Sequence, residues 1–222
     1  MLLRDFLLDV PGIVDTRGSL DTAVGSLIIN SRAKADRGLF FCITGARFDA
    51  HKFAAQAVEN GCVALVVSRY LDDLPVPQVR VENVRSAMAY IAGAFYGHPA
   101  RQLRLIGVCG TKGKTTTSYL FKAIMEKAGY SMGLIGTTGN LIGDEHLHSN
   151  LTTPDPIDLH RCFRQMVDAG VQAVSMEVSA HAVDMHRLDG LTFEAACYTN
   201  LSQDHLDYFH TMENYFETKK SF

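Results

Sequence analysis

GTKGKTTT, residues Gly110–Thr117, is the segment whose residue types and spacing most directly suggest chemistry. Its glycines let backbone N–H groups turn toward phosphate oxygens, and a helix starting there adds the partial positive charge of its N-terminus. In that setting Lys114 would reach the β/γ phosphates and the Thr115 hydroxyl would hold Mg²⁺. The strict GxxxxGK[ST] spacing is missed by one place: Val108 stands at its first glycine position, while glycines occupy Gly107 and Gly110. The plainer alternative is a Gly-rich turn with solvated lysines. A buried strand before the segment and a helix after it favour nucleotide phosphates.

Two further segments should reach the same edge. Glu177 ends an alternating strand, and ligands of open α/β sheets bind outside the carboxyl ends of parallel strands. A carboxylate there could hold the nucleotide's Mg²⁺ directly or through water, or could simply be a solvated strand end. TNLSQDHLDYF, Thr199–Phe209, follows the next strand. His205 in it is a candidate metal or phosphate ligand, and Asn200 and Asp204 could equally be turn or capping residues.

The elements that must position these groups can be read from periodicity. LFFCI (Leu39–Ile43) and CVALVV (Cys62–Val67) are predicted buried strands, with a short helix over His51–Asn60 between them. Val76–Asn83 alternates as a third strand, and Val84–Tyr96 has helical spacing. The Gly- and Pro-containing stretch Gly97–Arg104 divides the chain, giving domains of residues 1–98 and 99–222. In the second, strands are predicted at Leu105–Gly110, Ser131–Gly136, Val171–Val178 and Phe193–Asn200. Helices are predicted at Thr115–Ala128 and Pro156–Ala169, with another beginning over Met212–Lys220. Gly139–Ser149 reads as a polar loop or hairpin. Strands alternating with helices predict an α/β protein: a small α/β domain, then a P-loop-type, doubly wound parallel sheet. That sheet is expected to be truncated, because the chain stops inside a helix at Phe222.

Composition narrows the class. The chain has 222 residues, 47% apolar and 20% charged, which is ordinary for a globular protein and excludes disorder and collagen-like sequence. Its longest apolar run, Cys62–Val67, is far short of a membrane span. Arg4, Asp5 and Asp9 interrupt the N-terminal apolar stretch, so no signal-peptide core forms. A net charge of −3 gives no footprint for a nucleic-acid backbone. Five dispersed cysteines (Cys42, Cys62, Cys109, Cys162, Cys197) without CxxC spacing read as reduced, buried thiols of a cytoplasmic protein.

GTKGKTT, TTPD (Thr152–Asp155), MEVSAHAVDMHR (Met176–Arg187), TNLSQDHLDY and TMENYFETK (Thr211–Lys219) occur in that order. Together they resemble the Mur ligases, and among these the branch adding the third amino acid of the peptidoglycan stem. NSRAKADRGLFFCITGARFDAHKF, near the N-terminus, resembles that family's uridine-binding domain. The resemblance covers nearly the whole chain. It implies an ATP- and Mg²⁺-dependent ligase that activates a UDP-muramoyl-dipeptide carboxylate as an acyl phosphate, which an amine then displaces.

The resemblance also implies roles for particular residues. Gly110, Thr111, Lys112, Gly113, Lys114, Thr115 and Thr116 would hold the ATP phosphates. Ile29 and Ser31, with the loop Ala46, Arg47 and Phe48, would contact the UDP part. Thr152, Thr153, Ser179 and Arg187 would hold the muramoyl peptide. Thr115, Glu177 and His205 would serve Mg²⁺, joined by Lys219 as a carbamylated lysine. From the residues alone, Lys219 reads as a surface lysine on a terminal helix. Lys112, Asn30, Ala180, Met185 and Phe209–His210 depart from the family pattern, and none of these departures removes a phosphate, metal or carbamate residue.

A complete ligase of this kind has an amino-acid-binding domain, expected beyond Phe222. The chain is therefore expected to be a monomeric fragment, inactive by itself, and the identity of the added diamino acid is not legible in it. Alternatives are a non-catalytic muropeptide- or ATP-binding module, or a related ligase of the folylpolyglutamate or terminal-dipeptide type.

Overall fold

Short apolar strands and one three-turn helix build the first unit, Met1–Phe95. The computed structural model describes residues 1–45, 48–143, 145–147, 149 and 151–222. Strands β1 (Ile13–Arg17), β2 (Ser26–Ile28), β3 (Gly38–Phe41), β4 (Cys62–Val67) and β5 (Gln78–Val81) form a sheet in the order β1-β5-β4-β3-β2. All neighbours are parallel except β1, which pairs antiparallel with β5. Neither edge strand is predicted from the sequence: β2 is three residues long, and β1 carries Asp15, Thr16 and Arg17 in a largely exposed row. The predicted helix over His51–Asn60 is a 3-10 turn (Ala50–Phe53) running into helix α1 (Ala54–Glu59). Helix α2 (Val84–Phe95) buries Ala87, Met88, Ile91 and Ala92. That i, i+1, i+4, i+5 pattern is a wide helical stripe against the core.

The second unit is Tyr96–Phe222. After a 3-10 turn at Pro99–Gln102 come β6 (Arg104–Cys109), α3 (Lys114–Lys127), β7 (Met132–Gly136), β8 (Gly139–Ile142) and β9 (Glu145–Leu147). Then follow α4 (Pro156–Asp168), β10 (Ala173–Val178), α5 (Ala180–Asp184), β11 (Ala195–Tyr198), α6 (Leu206–Phe209) and α7 (Met212–Ser221). The strand order is β11-β6-β10-β7-β8-β9. The first four strands are parallel, as predicted for a phosphate-loop sheet. The remainder makes the sheet mixed. β8 and β9 fold back antiparallel on β7, because only Thr137 and Thr138 separate β7 from β8 and no crossover fits so short a link. The Gly139–Ser149 segment is thus the hairpin of its two predicted forms.

The core of this unit explains α4. Leu159, Cys162, Phe163 and Met166 are buried at i, i+3, i+4 and i+7 and pack with Leu105, Ile135, Val174 and Met176. With one helical face fixed on the strands, the parallel strands end together. Val178 and Tyr198 both align with Cys109, and Glu177 aligns with Val108. Among the described residues, no helix is long and apolar enough to cross a membrane.

Candidate functional site

The loop after β6 is held open by the loop after β11. Thr111 N donates to Asn200 O at 3.0 Å, and Lys112 N donates to Asn200 Oδ1 at 3.0 Å. In return, Thr199 Oγ1 and Asn200 Nδ2 donate to Lys112 O at 2.8 and 3.0 Å. Thr111 Oγ1 accepts from Ser202 N at 3.1 Å and from Tyr215 OH at 3.3 Å. Asn200 is therefore a clamp on the glycine loop after β6, neither a simple turn residue nor a helix cap. Gly110, at φ +145°, lets the two loops approach: a Cβ there would stand 1.9 Å from Thr199 Oγ1.

Helix α3 then begins without a side-chain cap, because Gly113 stands at that position. An uncapped first turn leaves N–H groups and the positive end of the helix dipole for an anion. Lys114 curls back, donating from Nζ to Gly110 O at 3.0 Å and to Thr111 O at 2.9 Å. Burial, reinforced by the nearby Lys219 charge, holds its pKa below the usual lysine value. A partly desolvated cation facing carbonyl oxygens is suited to exchanging them for phosphate oxygens.

Glu177 is only 1% exposed, so it is not the solvated strand end that sequence allows. Its Oε1 accepts from Thr137 N at 3.0 Å and its Oε2 from Thr137 Oγ1 at 3.1 Å. Gly136 makes room for it, since a Cβ there would lie 2.3 Å from Glu177 Oε1. Thr152 joins through Thr137 Oγ1 at 3.1 Å. Thr153 is buried, with its Oγ1 donating to Glu177 O at 2.9 Å and accepting from Ser179 N at 3.1 Å. Ser179 caps α5 by accepting from Ala182 N at 3.2 Å. Arg187 donates from Nη1 to Thr153 O at 2.7 Å and pairs through Nε with Asp155 Oδ1 at 3.0 Å. Thr152, Thr153, Glu177, Ser179 and Arg187 thus share one polar network.

Lys219 departs from the surface lysine that its sequence position suggests. It is 2% exposed, on α7, with Nζ 4.5 Å from the centre of the Tyr215 ring. Burial lowers its pKa, while Cys109 and Asp204 pull the other way. The unfolded chain keeps its proton up to the ordinary value of 10.5, whereas the folded chain releases it earlier. Stability therefore rises with pH between the lowered folded value and 10.5. Lys219→Met is expected to be more stable than the parent at pH 7 and to show a flatter alkaline rise in urea unfolding. Lys114 leaves a residual slope, being shifted in the same direction. An unchanged pH profile would mean that Lys219 is hydrated as a surface lysine.

His205 is about half exposed, and its ring lies 4.8 Å from that of His181, edge to face. No hydrogen bond or ion pair joins it to Glu177 or Lys219. Among the described residues, no three His, Cys, Asp or Glu side chains stand grouped to hold a metal. The oxygen donors at this edge, the Thr115 hydroxyl and the Glu177 carboxylate, suit a hard cation such as Mg²⁺. An amine such as Lys219 would match them only once converted to an oxygen donor.

In the first unit, Ile29, Ser31 and Phe48 line a cavity of about 300 Å³ with Phe53. The Phe48 and Phe53 rings stack in parallel at 4.8 Å. Ser31 Oγ donates to Gln56 Oε1 at 2.9 Å, leaving its lone pairs as acceptors. Ala46 and Arg47 lie outside the described residues.

Sequence reasoning missed Thr137, Asp155 as the partner of Arg187, and Tyr215 as a prop under the loop. Thr137 had one available signal, its position at the carboxyl end of a buried strand. Nothing in the spacing pairs Tyr215 with Thr111, because they are 104 positions apart.

Residues 108–222 match the Mur ligase middle domain. The chain is 48% identical over 219 residues to the UDP-N-acetylmuramoyl-L-alanyl-D-glutamate–2,6-diaminopimelate ligase of Geobacillus thermodenitrificans, covering 99% of this chain and 44% of that enzyme. The enzyme of the same description from Bacillus licheniformis is 43% identical over 217 residues, covering 98% of this chain and 44% of that protein. A solved structure of a ligase of that description superposes with a TM-score of 0.79 at 28% identity, covering 99% of this chain and 44% of its own. The chain therefore spans less than half the length of the relatives it matches.

Proposed function

The chain belongs to the Mur ligase family, whose members use ATP, and on that premise we propose that it carries the nucleotide- and muropeptide-binding part of a peptidoglycan ligase. The reaction is ATP-dependent addition of 2,6-diaminopimelate to UDP-N-acetylmuramoyl-L-alanyl-D-glutamate, in the cytoplasm. The observation carrying this reading is the loop at Gly110–Thr116. It is clamped by Thr199 and Asn200, opens an uncapped helix and holds a half-buried lysine over its own carbonyls.

ATP supplies the phosphoryl group that makes the substrate carboxylate reactive, and Mg²⁺ offsets the charge of its phosphates. This chain's residues divide the remaining work. Backbone N–H groups of Gly110–Thr116 bind phosphate oxygens, and Lys114 exchanges its loop carbonyls for them. Thr115 and Glu177 would hold Mg²⁺, with Thr137 orienting the Glu177 carboxylate. Burial lowers the Lys219 pKa and so raises its share of the neutral amine that carbamylation requires, and His205 stands at the outer side of the same edge. Thr152 and Arg187 contact the muropeptide. Thr153 and Ser179, whose hydroxyls are engaged inside the protein, orient Arg187 and α5. The Phe48–Phe53 pair and Ser31, with Ile29, Ala46 and Arg47, receive the uridine. In this reading the first unit is the uridine domain and the second the ATP domain.

Calorimetric titration of the 222-residue chain tests the proposal. ATP with Mg²⁺ and UDP-N-acetylmuramoyl-L-alanyl-D-glutamate are each expected to bind at one site. Failure of both to bind the folded chain would reject it.

A further inference from the structure

A cavity of about 660 Å³ lies in the second unit between the β8–β9 hairpin and α4. Asn140, Leu147, Asp155, Asp158, Arg161 and Gln165 line it. Asn140 is 5% exposed, and its Oδ1 has no hydrogen-bond partner. A buried acceptor left unmatched costs free energy, and its presence calls for a donor. Among the described residues, the charges on the wall are already paired. Arg161 Nη2 donates to Asp158 Oδ1 at 2.7 Å, and Asp155 pairs with Arg187 at 3.0 Å. Pro154, Cys162 and Leu147 add apolar surface. Such a wall suits an uncharged group with an N–H donor beside a methyl or methylene, which is the chemistry of an amide. Among the described residues of the lining, a phosphate or carboxylate would find no free cation.

The cavity borders the network described above. Asp155 belongs to its wall, and its partner Arg187 is bonded to Thr153 O. We propose that this cavity is a subsite for an amide-type group of the muropeptide, whose N–H donates to Asn140 Oδ1. The inference rests on the substrate proposed above and adds a specificity residue on β8. The group has two possible sources, the acetamido substituent of the sugar and the amide of the dipeptide.

The test is calorimetric titration of the 222-residue chain with UDP-N-acetylmuramoyl-L-alanyl-D-glutamate, in parent, Asn140→Leu and Gln165→Trp forms. Asn140→Leu keeps the volume and removes the acceptor, and Gln165→Trp narrows the mouth from an exposed position without entering the core. Muropeptide binding is expected to weaken about five- to tenfold in the first and to weaken also in the second. ATP affinity should be unchanged in both. Binding by the parent with no change in either variant overturns the subsite and leaves the substrate reading intact. No muropeptide binding by a parent that binds ATP overturns the substrate reading and the subsite with it. A muropeptide lacking the N-acetyl group identifies the source. If the acetamido group fills the cavity, this analogue binds the parent more weakly but Asn140→Leu no worse than the complete ligand does. If the dipeptide amide fills it, the analogue keeps the full Asn140→Leu penalty.

Discussion

Lys114→Ala is expected to weaken ATP binding by about 1.5–3 kcal/mol, the range for losing a charge-assisted hydrogen bond, or roughly 10- to 150-fold in affinity. The side chain's two present acceptors are carbonyls of its own loop, at 3.0 and 2.9 Å. Those bonds hold a cation that burial and the nearby Lys219 charge both disfavour. Removing the amine therefore forfeits two loop contacts but also relieves its desolvation and the repulsion from Lys219. These effects oppose each other, so stability should change far less than nucleotide affinity. Calorimetry with ATP and Mg²⁺, paired with urea unfolding of the same samples, separates the two. Equal ATP affinity in parent and variant would remove the phosphate-loop assignment.

Gly110→Ala should damage both the fold and the site. The added methyl would meet Thr199 Oγ1 at 1.9 Å and the backbone of Asn200 at 3.1 and 3.2 Å, on a residue whose φ of +145° side chains rarely adopt. Thr199 could rotate away, but its hydroxyl would then leave Lys112 O, to which it donates at 2.8 Å. Backbone strain and overpacking together are expected to cost about 2–4 kcal/mol of stability, and ATP binding should fall with loss of the clamp. Adding Thr199→Ala removes the nearest contact and leaves the strain and the Asn200 backbone contacts. The double variant should therefore recover stability in part. Chemical denaturation of the three chains checks this, and a single variant within about 0.5 kcal/mol of the parent, the range of neutral surface changes, would show that the two loops are not in register.

Much of the second unit was legible because its signals are local. Leu105–Gly110 reads as an apolar run and Val171–Val178 as an alternating strand, and α4 advertises its buried face at helical spacing. The glycine loop followed by Lys114 and Thr115 was readable as the proposed phosphate site, because the helix start and the loop are contiguous in the chain. The ordered motifs carried the family. What the chain could not announce was anything depending on partners distant in sequence. β1 and β2 are short edge strands whose pairing comes from neighbours, so their polar or brief patterns read as loop.

The same division runs through the candidate site. Residue types and spacing identified Lys114 and Glu177 as groups of interest, and the family resemblance added Arg187 and Lys219. The tertiary structure decided their environments: it buried Lys219 beneath Tyr215, removed Glu177 from water beside Thr137 and made Asn200 a clamp on a loop 88 positions away. Local sequence sets which backbone conformations and periodic faces are favourable. Burial, pKa shifts and cross-strand hydrogen bonds depend on which distant segments come to lie alongside. Packing of β6, β10, β11 and α7 determines that, and no single segment contains it.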